Sequence, residues 1–348
     1  MILYTGCYTA NIGSPAPNPT GKGIGRFEFN PDNGAFNQLD FTWQRSPSYL
    51  CISKDKKHLY AAEECKKTLL PEIFAYEIKS TGALSFLNSQ KIDASHACHL
   101  SEVSQQIIVA NYISGNALVY PKANDGRLES AKQVIQHNGS GIHPERQTGP
   151  HVHMVYPVND QFIFLVDLGL DKALAYSTGE TGTWKAIPKN DINLFPGAGA
   201  RHMIMNNYNS FAYILGELTG EIEVFIKTDN GFVSIQRNSF LPEGYHGKIS
   251  GAAIRLHPNG KFLYTSDRGS NTISVFEVNS TSGMLSYIKS TGTRGETPRD
   301  FTIDPSGEWL FAANQDSDLI VAYKILKDGT LQYESEQFVN TPVCIAIL

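Results

Sequence analysis

Short segments of alternating apolar and polar residues fill the chain, while stretches at helical spacing are scarce. Alternation sends successive side chains to opposite faces, as a half-buried strand requires. These segments recur in a fixed arrangement. An aromatic residue within one is followed six or seven residues later by a glycine: Phe27 and Gly34, Tyr76 and Gly82, Tyr120 and Gly126, Tyr176 and Gly182, Phe225 and Gly231, Phe276 and Gly283, Tyr323 and Gly329. The seven aromatics are 49, 44, 56, 49, 51 and 47 residues apart.

Each copy carries an earlier strand, such as Leu59-Tyr60-Ala61-Ala62 or Phe262-Leu263-Tyr264-Thr265-Ser266. Ahead of most of these lies another short strand and a turn, as at His257-Pro258-Asn259-Gly260. Four antiparallel strands in a unit of about 50 residues make a propeller blade. Short alternating strands would also suit a sandwich or two barrels, but seven near-constant repeats select the propeller. The expectation is an all-β, seven-bladed β-propeller occupying residues 1–348 as one domain. Its first unit begins at a second strand, Met1 to Cys7, and the missing inner strand reappears at Thr341 to Ala346. Pairing of the two ends should close the ring and remove the open edges that invite aggregation. Ser14 to Pro19, rich in proline, and 136–147, rich in glycine and histidine, read as loops.

Composition narrows the function. Hydrophobic residues make up 41% of the 348, enough for a packed core, which excludes a wholly disordered chain. With 29 Lys and Arg against 34 Asp and Glu, the net charge of −5 argues against a general partner for nucleic acid or a membrane surface. The apolar run 162–166 is far shorter than the ~20 residues that span a bilayer. No charged segment followed by an apolar one opens the chain, so no secretory signal is expected. Five cysteines (Cys7, Cys51, Cys65, Cys98, Cys344), with no CxxC, read as buried or incidental thiols of a cytoplasmic protein. Nucleotide-binding loops and the GxSxG nucleophile motif are absent, and no Trp-Asp signature ends the blades. Nothing in the repeat specifies an oligomeric state.

Candidate chemistry lies where an inner strand should be apolar and is not. Alternation puts His151 and His153 on one face. Counting forward to the second strand makes Arg201 and Arg299 equivalent, with His153, His202 and Asp300 at the neighbouring place. A second column, counted from the repeat aromatic, holds Tyr112, Leu168, Glu217, Arg268 and Gln315, preceded by Asn111, Asp167, Gly216, Asp267 and Asn314. Polar groups thus converge on one region: His153, Arg201, Glu217, Arg268 and Arg299, with Arg255 and Lys248 nearby. Asp167, Asp267, Asp300, Asn111 and Asn314 suit inter-blade hydrogen bonding; His96, His137, His143 and His246 read as solvent-exposed loop imidazoles. Arginines gathered near one axis repel unless carboxylates or a bound anion compensate, and guanidinium matches carboxylate or phosphate bidentately. His151, His153 and His202 lack a carboxylate or thiol at metal-site spacing, so no metal is expected.

At these motifs the sequence resembles the lactonase family of seven-bladed propellers, which includes 6-phosphogluconolactonases of the cycloisomerase 2 type and fungal 3-carboxy-cis,cis-muconate lactonizing enzymes. The resemblance rests on YTGCYT at 4–9, VANY at 109–112, GPHVH at 149–153, ARHM at 200–203, GEL at 216–218, IRLHPNG at 254–260, YTSDRG at 264–269, TPRDF at 297–301 and ANQ at 313–315. It implies a catalytic set of His153, Arg201, Glu217 and Arg268; the neighbouring His151, His202, Arg255 and Arg299 of the polar columns are the substrate-binding candidates, and no cofactor is expected. Asp267 stands where many relatives have Asn, and Ala200 where many have Pro. The compact form points to hydrolysis of 6-phospho-D-glucono-1,5-lactone, a small anionic sugar-phosphate lactone, rather than to muconate cycloisomerisation. Glu217 or His153 would then be the general base, and replacing either is expected to cost activity while leaving the melting temperature nearly intact. A non-catalytic ligand- or protein-binding propeller is the reading from another class.

Overall fold

A computed structural model describes residues 1–11 and 16–348; Ser14 and Pro15 of the proline-rich loop lie outside the described residues. Seven antiparallel sheets are arranged in a ring. From the inside outward, blade 1 consists of Pro342–Ile347, Ile2–Cys7, Ile24–Asn30 and Ala35–Thr42. Blades 2 to 7 follow in sequence over 47–91, 97–136, 152–193, 200–239, 251–292 and 298–338. Blade 4 has a fifth, two-residue strand, Ile192–Asn193, pairing with its third. The only helical segments among the described residues are three single 3₁₀ turns.

Closure is as the two ends of the sequence suggest. Leu3 pairs with Ile347, Thr5 with Ile345 and Gly6 with Cys344. The Thr5 hydroxyl adds a bond to the Cys344 carbonyl at 3.0 Å. Each inner strand thereby packs against two neighbours all the way round.

The core is distributed between blades. Seven apolar clusters fill the seven junctions, for example Phe164 and Val166 of blade 4 against Met203, Ile214 and Phe225 of blade 5. Second strands, covered on both faces, are buried throughout, as at Gln106–Asn111 and Phe211–Gly216. The seven turn glycines all have φ between 65° and 107°, a region that side chains disfavour. At four junctions a second-strand tyrosine hydroxyl reaches the turn-glycine carbonyl of the next blade: Tyr4 to Gly82, Tyr60 to Gly126, Tyr213 to Gly283 and Tyr264 to Gly329, at 2.6 to 3.0 Å.

One irregularity repeats. Where the inner strand meets the end of the second strand, the register slips by one residue in every blade. A bulge of this kind leaves one residue unpaired and re-aims its side chain. The residues so released are Val343, Ser48, Cys98, His153, Arg201, Ala252 and Arg299, one per blade. His153 therefore shares its column with Arg201 and Arg299, not with His202 and Asp300. The count from His153 to Leu168 is one residue shorter than that from Arg201 to Glu217, which displaced it in the sequence alignment of blades.

Candidate active site at the mouth of the ring

Two rings of side chains meet at the bulged end of the channel. The lower ring is the bulge set. The upper ring is formed by the residue after each second strand: Tyr8, Glu64, Tyr112, Leu168, Glu217, Arg268 and Gln315. Between them opens a cavity of about 290 Å³. Cys98, His153 and Arg299 of the lower ring line it, as do Glu64, Tyr112, Glu217 and Arg268 of the upper; His96, Ile113 and Arg146 from neighbouring loops complete the wall.

Glu217 is the hub of one wall. Its Oε1 accepts a bond from Arg146 Nη2 at 2.6 Å, and its Oε2 lies 2.9 Å from Arg268 Nη2 and 3.1 Å from Arg201 Nε. Backbone carbonyls hold the guanidinium groups: Arg268 donates to Ser250 and Gly251, and Arg201 to Ala252. Arg146 also donates to the Tyr112 hydroxyl at 3.1 Å. Burial alone would push the Glu217 carboxyl up, but Arg268, Arg201 and Arg146 overrule it and hold the group well below the usual carboxylate range. Burial, together with Arg268, pushes Arg201 down to about 9, still cationic at neutral pH.

A second carboxylate cluster stands on the opposite side, at blades 7, 1 and 2. Tyr8 donates its hydroxyl proton to Glu64 Oε2, and Arg299 Nη2 lies 3.5 Å from the same oxygen. The Arg299 guanidinium sits over the Tyr8 ring, 5.5 Å from its centroid. His153 occupies blade 4, between the two clusters. Burial first, and Arg201 second, hold its imidazole well below its ordinary value, so it is neutral at pH 7.

The structure thus brings together His153, Arg201, Glu217, Arg268 and Arg299. It does not bring His202, His151 or Arg255 to the cavity wall. His202 lies beneath, 5.2 Å from His153 and 5.6 Å from His99, ring to ring. His151 stacks on Tyr112 at 4.4 Å and bonds its carbonyl through Nδ1, bracing the wall from behind. Arg255 is three residues beyond the bulge, about 10 Å along the strand, where it bonds Asp300 at 2.8 Å and the Tyr49 hydroxyl at 3.2 Å. Asp167 and Asp267 accept backbone N–H groups at the mouths of their blades. His137 corrects a sequence expectation: it is buried, with Nδ1 2.7 Å from Asp167, because the 136–147 loop folds inward over blade 4. His96 likewise belongs to the cavity wall, not to open solvent.

Glu64, Tyr8 and Arg146 escaped the sequence reading. Counting back from the repeat aromatic works only where the following loop has constant length. Blades 1 and 2 have longer loops there, so the count from Tyr76 lands on Thr68 instead of Glu64. Arg146 sits in a loop with no repeat pattern at all.

The stacked imidazoles have a measurable consequence. Burial holds His99, His153 and His202 well below their ordinary values. A buried histidine kept neutral takes up no proton on the native side, whereas the unfolded chain takes one below pH ~6.5. Stability is therefore present above that value and lost as pH falls, by up to ~1.4 kcal/mol per pH unit for each imidazole. Urea unfolding should show a loss of about 3–4 kcal/mol per unit just below pH ~6.5. The His99→Gln/His202→Gln variant should lose about a third as much per unit; an equal slope in that variant would contradict the assignment.

No helix among the described residues is long and apolar enough to cross a membrane. The family model described as "Lactonase, 7-bladed beta-propeller" matches residues 2–347. A 6-phosphogluconolactonase of Bacillus subtilis (strain 168) is 33% identical, with 100% of this chain and 98% of the relative covered. A 6-phosphogluconolactonase of Formosa agariphila is 29% identical over 94% of this chain and 96% of its own. Among solved structures, the periplasmic gluconolactonase of Pseudomonas aeruginosa superposes with a TM-score of 0.90 at 26% identity, covering 99% of this chain and 98% of the other.

Proposed function

The chain belongs to the lactonase family of seven-bladed β-propellers, and we propose that it hydrolyses 6-phospho-D-glucono-1,5-lactone to 6-phosphogluconate. The observation that carries this reading is the charge of the cavity. Three guanidinium groups of the wall, of Arg146, Arg268 and Arg299, and a fourth buried against Glu217, of Arg201, stand against two carboxylates, of Glu64 and Glu217, while His153 is neutral. The net excess of two positive charges complements a phosphate monoester, which carries about −1.5 to −2 at pH 7. A volume of about 290 Å³ is at the small end of ligand pockets (~300–1,000 Å³), suited to one sugar ring. The names of both curated relatives support the same substrate.

In this reading water attacks the lactone carbonyl carbon, the ester oxygen of the ring departs, and the charge that develops on the carbonyl oxygen is met by guanidinium donors already in place. Glu217 has both oxygens engaged by arginines and serves as their counter-ion. Neutral His153 orients the lactone by hydrogen bonding. Five unpaired cysteines suit a reducing compartment, the cytoplasm.

The test is ring opening of the phospholactone, followed as proton release at constant pH, against the spontaneous rate. An unaccelerated reaction would leave a binding propeller. Arg268→Met should raise KM for the phospholactone at least tenfold, a loss of one charge-assisted contact. Unphosphorylated glucono-1,5-lactone should lose much less. Equal losses for both lactones would show that this arginine does not read the phosphate.

A further inference from the structure

We propose that Glu64 is the general base of the hydrolysis, held in place by Tyr8. The inference rests on the lactonase reading above and names the group that reading leaves open. Four carboxylate or imidazole groups line the cavity, Glu64, Glu217, His153 and His96; His96 stands on a neighbouring loop, outside the two rings, and the choice falls among the other three. Glu217 is excluded by its partners: Arg146 occupies Oε1, and Arg268 and Arg201 occupy Oε2. Protonating it would undo three ion pairs at once. His153 would have to become an imidazolium in a buried place beside Arg201, and its Nδ1 is buried without a hydrogen-bond partner among the described residues. Glu217 favours that charge from a distance, but burial and Arg201 outweigh it, and no carboxylate among the described residues bonds Nδ1 as an aspartate does in a triad.

Glu64 differs in each respect. Both of its side-chain contacts among the described residues, the Tyr8 hydroxyl and Arg299 at 3.5 Å, fall on Oε2. Oε1 takes part in neither, and the residue lines the cavity. The side chain is 6% exposed, so it is positioned by its surroundings and not by solvent. Its backbone N–H is fixed by the Ser46 carbonyl at 3.1 Å. It also faces the Glu217 cluster across the cavity. A lactone whose carbonyl oxygen is held by Arg146, on the Glu217 side of the cavity, would present its carbonyl carbon towards Glu64.

The step balances without a co-reactant. Glu64 Oε1 takes a proton from water as the water oxygen bonds to the carbonyl carbon. The tetrahedral intermediate then collapses, the bond from that carbon to the ring oxygen breaks, and the Glu64 proton passes to the departing oxygen. The new carboxylic acid ionises to solvent. Tyr8 is a positioning residue: its hydrogen bond to Oε2 fixes the orientation of the carboxylate.

The experiment separates rate from binding. Glu64→Gln keeps the shape and removes the basicity; kcat on the phospholactone should fall about 100-fold or more. Affinity for 6-phosphogluconate, measured by calorimetry, should stay within about threefold, since the arginines remain. Glu64→Asp keeps the charge beside Arg299, which safeguards folding, and draws the oxygen back by one methylene; it should lose about tenfold in kcat. Tyr8→Phe should lower kcat with KM unchanged. If the wild type accelerates ring opening and either Glu64 variant matches its kcat, the assignment of the base is overturned and the lactonase reading stands. If the Glu64 variants lose affinity in proportion to rate, Glu64 belongs to binding and the assignment is again overturned. A wild type that does not accelerate ring opening refutes the lactonase reading itself.

Discussion

Replacing Glu217 with glutamine should destabilise the protein by about 3–5 kcal/mol as well as lower kcat/KM at least 100-fold. The first figure is the usual cost of removing one partner of a buried ion pair. Here the partner removed serves three guanidinium groups, 2.6, 2.9 and 3.1 Å away. Arg201 is itself 2% exposed, and Arg268 already repels it. A loss of activity with the melting temperature intact, the expectation from sequence alone, assumed a carboxylate facing an open channel. Urea unfolding at pH 7.5 checks the stability, and a second variant makes the cause specific. Glu217→Gln/Arg268→Gln removes a repelling cation along with the anion, so it should recover part of the lost stability. A double variant less stable than the single one would show that repulsion among the arginines is not what Glu217 relieves.

Deleting Pro342–Ile347 together with Leu348 should leave no soluble ring. The strand carries the buried side chains of Val343, Cys344 and Ile345, each worth ~1.5–3 kcal/mol when fully buried. Their sum is comparable to the ~5–15 kcal/mol that separates a folded domain from its unfolded state. Ile2–Cys7 would in addition lose its partner and present a bare edge to other molecules. Soluble yield and the unfolding temperature check this; a truncated chain that melts like the intact one would mean that blade 1 closes without its inner strand.

Much of this architecture was legible because the repeat carries its own reasons. The turn glycines need positive φ in every blade, and at four junctions a second-strand tyrosine needs a carbonyl across the gap. Arg201, Glu217 and Arg268 stood out because they break an apolar column in blades whose loops have regular length. Glu64 and Tyr8 obey the same column and were hidden only by longer loops between their strands and the next aromatic. His153 was found but placed one step off, because a bulge and a shorter hairpin are invisible to counting. Arg146 and His137 had no pattern to betray them: their positions are set by the tertiary folding of the 136–147 loop over blade 4. Which carboxylate is free to accept a proton was also beyond the sequence, since that depends on which oxygens the arginines reach.

The register slip at one height in all seven inner strands has an evolutionary consequence. A residue released from pairing exchanges its side chain without asking its sheet to re-form. The seven released positions can therefore vary separately on one frame, and three of them, Cys98, His153 and Arg299, line the cavity. His153, Arg201 and Arg299 use three of them for polar chemistry, while Ser48, Cys98, Ala252 and Val343 hold small or apolar groups. Of those four only Cys98 lines the cavity, so a new substrate preference is within reach of a single substitution there, with the ring that supports it untouched.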